Sequence, residues 1–248
     1  MIEARNLSKT YGENKVLDDV SFDFEVGKTN VIIGQSGSGK TVLMKSLVGL
    51  VNPDEGEVIY DGKNFITMGL YEKRKLQQEI GMLFQGGALF DSLSVELNVM
   101  FPLNMFTKMS LAEKTDRVNF CLERVNLEGR NKLMPSELSG GMVKRVAIAR
   151  AIALNPKYLF CDEPNSGLDP ITAGVIDELI KEITEEFNIT TVVNTHDMNS
   201  VLMIGENIAF INKGKIWWSG NRHEILKTDN QILNDFIFAT ELTRRLKQ

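Results

Sequence analysis

The residues Gly34-Gln35-Ser36-Gly37-Ser38-Gly39-Lys40-Thr41 have the types and spacing to hold a nucleoside triphosphate. They fit G-x-x-x-x-G-K-[ST], a loop whose glycines let successive backbone N–H groups turn toward a phosphate with no Cβ in the way. Lys40 can reach the β- and γ-phosphates, and the Thr41 hydroxyl can bind Mg²⁺. The pattern carries this meaning only between a strand and a helix. Val31-Ile32-Ile33 precedes it and Val42-Leu43-Met44-Lys45-Ser46-Leu47-Val48 follows it, so both are supplied. A helix starting near Lys40 points its positive end at the same phosphates. The loop names a ligand class and leaves open what the energy is for.

Further residues could complete such a site. Tyr158-Leu159-Phe160-Cys161 runs into Asp162-Glu163. A strand-end carboxylate can hold Mg²⁺ directly or through water, and the next glutamate can activate the attacking water. The plain alternative is a strand that ends in acidic loop residues. Gln85 and His196 also end strands, and each taken alone reads as an ordinary loop residue. Tyr11, in Lys9-Thr10-Tyr11-Gly12, reads alone as a strand-end aromatic. The more specific signal is Leu138-Ser139-Gly140-Gly141-Met142. Two glycines at a helix start cost stability unless backbone N–H groups there must meet an anion closely. One phosphate loop is already present, so a second anion-binding helix start suggests that each protomer supplies it to its neighbour's nucleotide. Asp169-Pro170 has the order of an N-cap followed by an N1 proline.

The elements that must position these residues alternate. Ser21 to Val26 alternates polar and apolar, as a half-buried strand does. Val58-Ile59-Tyr60 and Asn64-Phe65-Ile66 flank Asp61-Gly62-Lys63, a hairpin signal. Ile80 to Phe84 reads as a strand leading to Gln85, and Gly86-Gly87 beyond it could hinge. From about residue 89 to 155 the pattern turns helical. There Ser110-Leu111-Ala112-Glu113 is a capping box, and Leu111, Val118, Leu122 and Val125 give one apolar face. Strands return at Tyr158–Cys161 and Ile189–Asn194, then in a hairpin around Asn212-Lys213-Gly214. A last helix is expected from Asn230, with Ile232, Leu233, Phe236, Ile237, Leu242 and Leu246 apolar and the domain's own core as the favoured packing partner.

Composition bounds the class. The chain has 248 residues, 43% hydrophobic and 25% charged, which suits a globular protein. A net charge of −5 argues against a nucleic-acid partner. Cys121 and Cys161 show no metal-ligand spacing and read as reduced thiols. Met1-Ile2-Glu3-Ala4-Arg5 has no apolar leader, and no run is long enough to span a bilayer, so a membrane role would need a partner.

Taken together, the motifs and their order resemble the ATP-binding subunit of ABC transporters over roughly residues 1–220. The resemblance implies an α/β fold: a P-loop NTPase (RecA-like) core, an N-terminal antiparallel β subdomain and an inserted helical subdomain carrying the signature. It implies an ATPase domain over 1–228 with the insert at about 89–155, and a C-terminal helical extension over 229–248. Tyr11 would stack on adenine. Gly34 to Thr41 would bind the phosphates. Gln85 would contact Mg²⁺ and water. Ser139, Gly140 and Gly141 would touch the γ-phosphate of a partner protomer's ATP. Asp162 would serve Mg²⁺, Glu163 would be the general base, Asp169 would cross the dimer interface and His196 would hold the γ-phosphate. The cofactors implied are ATP and Mg²⁺.

One position departs from the usual signature: Met142 stands where glutamine is expected. With Leu83 through Asp91, Asn98-Val99, Pro102-Leu103 and Asp169 through Gly174, it resembles the Mla-type lipid transporters. That implies phospholipid movement in the envelope of double-membraned bacteria, from the cytoplasmic face of the inner membrane. The implied partners are a second copy of the chain, an integral-membrane permease, an MCE-domain lipid-binding protein and, in some systems, a STAS-domain subunit. An importer ATPase for another solute and a soluble ABC ATPase share most of these motifs.

Overall fold

The computed structural model describes residues 1–238. In order, the chain forms β1 (Ile2–Tyr11), β2 (Asn14–Phe24), β3 (Thr29–Ile33), α1 (Lys40–Leu47), β4 (Glu55–Tyr60) and β5 (Lys63–Asn64). There follow α2 (Leu70–Gln78), β6 (Ile80–Leu83), α3 (Val95–Phe106), α4 (Leu111–Arg124), α5 (Gly140–Ile152), β7 (Tyr158–Asp162) and α6 (Pro170–Phe187). The described residues continue through β8 (Thr190–Thr195), α7 (Met198–Ile204), β9 (Asn207–Asn212), β10 (Lys215–Gly220) and α8 (Gln231–Ile237). It divides into two compact units: Met1–Gly69 with the chain from Thr190 onward, and Leu70–Ile189.

The first unit holds an antiparallel sheet in the order β2-β1-β4-β5 and a second set of strands in the order β10-β9-β3-β8. β3 is parallel to both β8 and β9, and all five of its residues are buried. A strand covered on both faces reads as a continuous apolar run, which is how Val31-Ile32-Ile33 reads. The hairpin between β4 and β5 turns on Asp61 and Gly62 alone, both at positive φ (47° and 80°). That is the backbone of a two-residue primed turn, so Lys63, expected in the turn, instead pairs with Tyr60. α8 buries Leu233 and Ile237 and sets Phe236 5.5 Å from Phe210 between ring centroids. Leu242 and Leu246 lie outside the described residues.

In the second unit β6 and β7 run parallel, in register from Ile80↔Tyr158 to Leu83↔Cys161. The capping box at Ser110 forms, with Glu113 answering the Ser110 backbone. Val118, Cys121, Leu122 and Val125 make the buried face of α4, at the spacing of one helical stripe. Leu111, expected on that face, is 72% exposed. A first-turn side chain leans back past the start of its own helix, where nothing is packed. No helix among the described residues is long and apolar enough to cross a membrane.

Candidate active site

The first unit builds a phosphate loop at the end of β3. Gly34 (φ 153°), Gly37 (φ 78°) and Gly39 (φ 110°) all have positive φ. A Cβ on Gly34 would land on the Ile211 carbonyl, and one on Gly39 would lie 2.6 Å from the Val16 carbonyl. These two glycines are thus dictated by close backbone neighbours, and Gly37, in open space, by its dihedral angle alone. The Ser38 amide donates to Gln35 C=O at 3.2 Å, and Ser38 C=O accepts from the Gly214 amide at 3.0 Å.

α1 opens from this loop with no side-chain cap and no acidic residue in its first turn. Its leading amides thus lack a side-chain cap and an acidic neighbour in their own turn, the condition under which a helix start attracts phosphate. The Ser38 hydroxyl is buried, with no hydrogen-bond partner among the described residues. Lys40 is 6% exposed, and its ammonium donates to Gly34 C=O at 2.8 Å and Gln35 C=O at 3.1 Å. Asn194 Nδ2 donates to Thr41 Oγ1 at 3.3 Å, a bond that occupies one of that hydroxyl's two lone pairs.

β8 brings His196 to the same end of the strands. Ile33 is in register with Thr195, so Gly34 and His196 are the next residues along two parallel neighbours. Ligands of open parallel sheets sit at these carboxyl ends. His196 is exposed there. Tyr11 ends β1 half exposed, with Lys9 Nζ 5.5 Å from its ring centroid.

The second unit carries the carboxylates. All five residues of β7 are buried, ending in Asp162 at 9% exposure. Glu163 follows at φ 48°, a left-handed conformation in a residue with a side chain. Since Leu83 is in register with Cys161, Gln85 and Glu163 leave the same strand ends two residues on. Gln85 Nε2 donates to Ser166 Oγ at 3.2 Å. Instead of hinging freely, the segment after Gln85 is fastened to α5. Arg150 donates at 2.7 Å to both Gly87 C=O and Ala88 C=O, and a Cβ on Gly87 would meet Val143 at 2.8 Å.

The helix start at Ser139 separates the two signature glycines. Ser139 caps α5 by accepting from the Met142 amide at 3.3 Å. A Cβ on Gly141 would lie 2.5 Å from Thr172 Cγ2, so α6 alone demands glycine there. A Cβ on Gly140 would make only ordinary contact with Leu168, at 3.4 Å. Gly140 is exposed, and no neighbour there requires glycine. Asp169 caps α6: one oxygen accepts from the Ile171 and Thr172 amides at 3.0 Å and the other from Thr172 Oγ1 at 2.6 Å. Those bonds, the Thr172 hydroxyl first, hold its carboxyl below the usual range. Each cysteine thiol is pushed up by burial, Cys121 to about 11.

These features meet known proteins at one family. The chain matches the ABC transporter family over residues 17–166. The chain belongs to the ABC transporter family. The phospholipid transport ATP-binding protein MlaF of Haemophilus influenzae is 38% identical over 96% of this chain and 90% of its own length. A probable ribonucleotide transport ATP-binding protein, mkl of Mycobacterium leprae, is 36% identical over 95% of this chain and 68% of its own length. Among solved structures, a dimeric ATP-binding cassette in a post-hydrolysis state with ADP and Pi is 35% identical, with a TM-score of 0.82 over 90% of this chain and 99% of that one. The α/β fold is therefore that of an ABC cassette, with its antiparallel β subdomain and helical insert, and the protein is an ATP-hydrolysing cassette. Sequence reasoning gave no role to Lys144, Ser166 or Asn194. Only Asn194 left a signal, a polar side chain inside the buried run Thr190–Thr195.

Proposed function

We propose that this cassette powers the transport of phospholipid between membranes of a bacterial envelope, acting as a homodimer on the cytoplasmic face of the inner membrane. The carrying observation is the match in length and sequence: the chain accounts for 88–90% of the MlaF relatives at 38% identity. Ribonucleotide transport is the second reading, favoured by the mkl relatives, of which the chain spans 66–68%. An integral-membrane permease is the expected partner. A cleft of about 300 Å³ in the second unit, lined by Phe84, Ala88, Phe90, Phe101 and Phe106, supports apolar docking of a permease segment. An MCE-domain lipid-binding protein and a STAS-domain subunit complete the proposed assembly.

Each residue has a proposed role. Tyr11 stacks on adenine, and the Gly34–Gly39 amides with Lys40 hold the phosphates. For Mg²⁺, Thr41 would offer a hydroxyl from the first unit, and Gln85 and Asp162 an amide oxygen and a carboxylate from the second, each an oxygen donor of the kind that cation takes. No cluster of three or more histidine, cysteine or acidic side chains fit for a metal occurs among the described residues. Bound Mg²⁺ would neutralise charge on the phosphates. Glu163 takes the proton of the attacking water, His196 and the partner copy's signature steady the γ-phosphate, and Asp169 faces the partner copy.

Two measurements test this. Glu163→Gln should still bind ATP while hydrolysis drops at least ~100-fold, the usual share of a general base. Wild-type turnover in that variant removes Glu163 from the role. Purification from membranes with mass spectrometry of the bound molecules separates the readings: a permease carrying phospholipid supports the first, a permease carrying ribonucleotide the second.

A further inference from the structure

Behind Glu163 the second unit closes a ring of hydrogen bonds. Lys144 Nζ donates to Gln85 C=O and, at 3.5 Å, to Glu163 C=O. Gln85 Nε2 donates to Ser166 Oγ at 3.2 Å. The Ser166 amide returns to Glu163 C=O, also at 3.2 Å. The ring ties together the Gln85 segment, the loop after β7 and α5.

Lys144 is the hub. It is 4% exposed, on a helix that also buries Val146, Ala147 and Ile148. Burial pulls its pKa down, while the neighbouring Glu163 and Asp162 charges act to keep it protonated. An apolar side chain of the same length would fill this space without desolvating a charge. What the ammonium adds is direction: charge-assisted bonds that hold two particular carbonyls in place.

Those carbonyls belong to the two residues proposed to handle the attacking water. The direction of the Glu163 carboxylate follows from its backbone, which sits at φ 48°. Such a conformation persists only where its surroundings over-determine it. Without Lys144, Glu163 C=O would keep the Ser166 amide and lose the cation, and a looser hold on this strained backbone would let the carboxylate's direction drift. Lys144 also lies little more than one helical turn beyond Ser139 and Gly140, so the signature end of α5 and these carbonyls share a rigid connection.

We infer that Lys144 is a positioning residue for ATP hydrolysis, fixing Gln85 and Glu163 through their main-chain carbonyls. The inference rests on the reading of Glu163 as the general base. The test uses the full-length protein with Mg·ATP and compares wild type, Lys144→Met, Lys144→Gln, Ser166→Ala and Glu163→Gln for kcat, KM, nucleotide affinity and thermal midpoint. Misplacing the water-handling groups by a fraction of an ångström should cut kcat of Lys144→Met about 10- to 100-fold while KM and affinity stay within about twofold. Lys144→Gln, which keeps a donor, should restore about a third or more of the lost kcat. Ser166→Ala, which opens the ring at an accessible link, should lower kcat about three- to tenfold with KM unchanged.

A Lys144→Met enzyme within about twofold of wild-type kcat, beside an inactive Glu163→Gln, overturns the inference and leaves the base intact. Loss of kcat together with affinity and thermal midpoint, not rescued by glutamine, assigns Lys144 to folding and also overturns it. If Lys144→Met does not fold, Ser166→Ala decides, and unchanged kcat there overturns the ring. Wild-type turnover in Glu163→Gln sinks the base assignment itself, and the inference with it.

Discussion

Gly141 offers a sharp test of why a signature residue is what it is. In Gly141→Ala the new Cβ would lie 2.5 Å from Thr172 Cγ2, inside any real contact distance. Threonine cannot swing away cheaply. Its χ1 is stiff, and its hydroxyl is engaged by Asp169 at 2.6 Å, so rotation gives up that bond. Overpacking of this kind costs roughly 2 kcal/mol, and exchanging glycine for alanine in a helix returns up to about 1 kcal/mol. The net loss should be about 1–1.5 kcal/mol, a fall in thermal midpoint of about 3–5 °C for a chain of this size. Thr172→Ser removes the offending methyl and keeps the hydroxyl for Asp169. Gly141→Ala in that background should therefore cost less than about 0.5 kcal/mol, a coupling of about 0.5–1.5 kcal/mol. Thermal and urea unfolding followed by circular dichroism read the cycle. A Gly141→Ala protein as stable as wild type, or a loss that Thr172→Ser does not relieve, refutes the packing argument. Hydrolysis measured on the same proteins shows whether the glycine serves nucleotide as well.

Two further outcomes follow from the geometry. In Gly34→Ala the added carbon collides with the Ile211 backbone, which cannot rotate aside as a side chain can, so β3 or β9 must shift; nucleotide binding should fall by at least about tenfold, read by fluorescent-nucleotide titration. Cys121, raised to about 11 by burial, and Cys161, raised further, stay protonated at pH 8 in the folded protein. Because these folded values lie above the unfolded thiol's, the stability they contribute is complete below the unfolded pKa and fades as pH rises through the folded value. Iodoacetamide at pH 8 should leave both unmodified until urea unfolds the chain, and rapid native labelling would contradict the burial.

The phosphate loop, the strand before it and the hairpins were legible because each depends on local chemistry: glycines at fixed spacing, alternation, Asp-Gly. The N-caps at Ser110 and Asp169 were legible for the same reason, as was the start of the last helix near Asn230. α2 was not, because it buries no residue and so leaves no periodic stripe to read. α3 was hidden by Pro102, which sits within it, although Val95, Val99 and Leu103 are buried. Asn98 shows what the residues quoted for the Mla resemblance do in space. It is fully buried and bonds the Phe90 amide and the carbonyls of Phe90, Leu93 and Ser94. Lys144 left no trace in the sequence, since a lone lysine on a helix reads as a solvated charge. Only the tertiary fold turns it inward toward two carbonyls distant in the chain.

The bonds of Lys40 have a bearing on the working cycle. Its ammonium already rests on the Gly34 and Gln35 carbonyls. On the proposed reading, a phosphate that draws the ammonium toward itself must exchange these two bonds for its own, so what Lys40 contributes to binding is the difference between the two sets. The pair of carbonyls that steadies the loop therefore also tempers how tightly nucleotide is held.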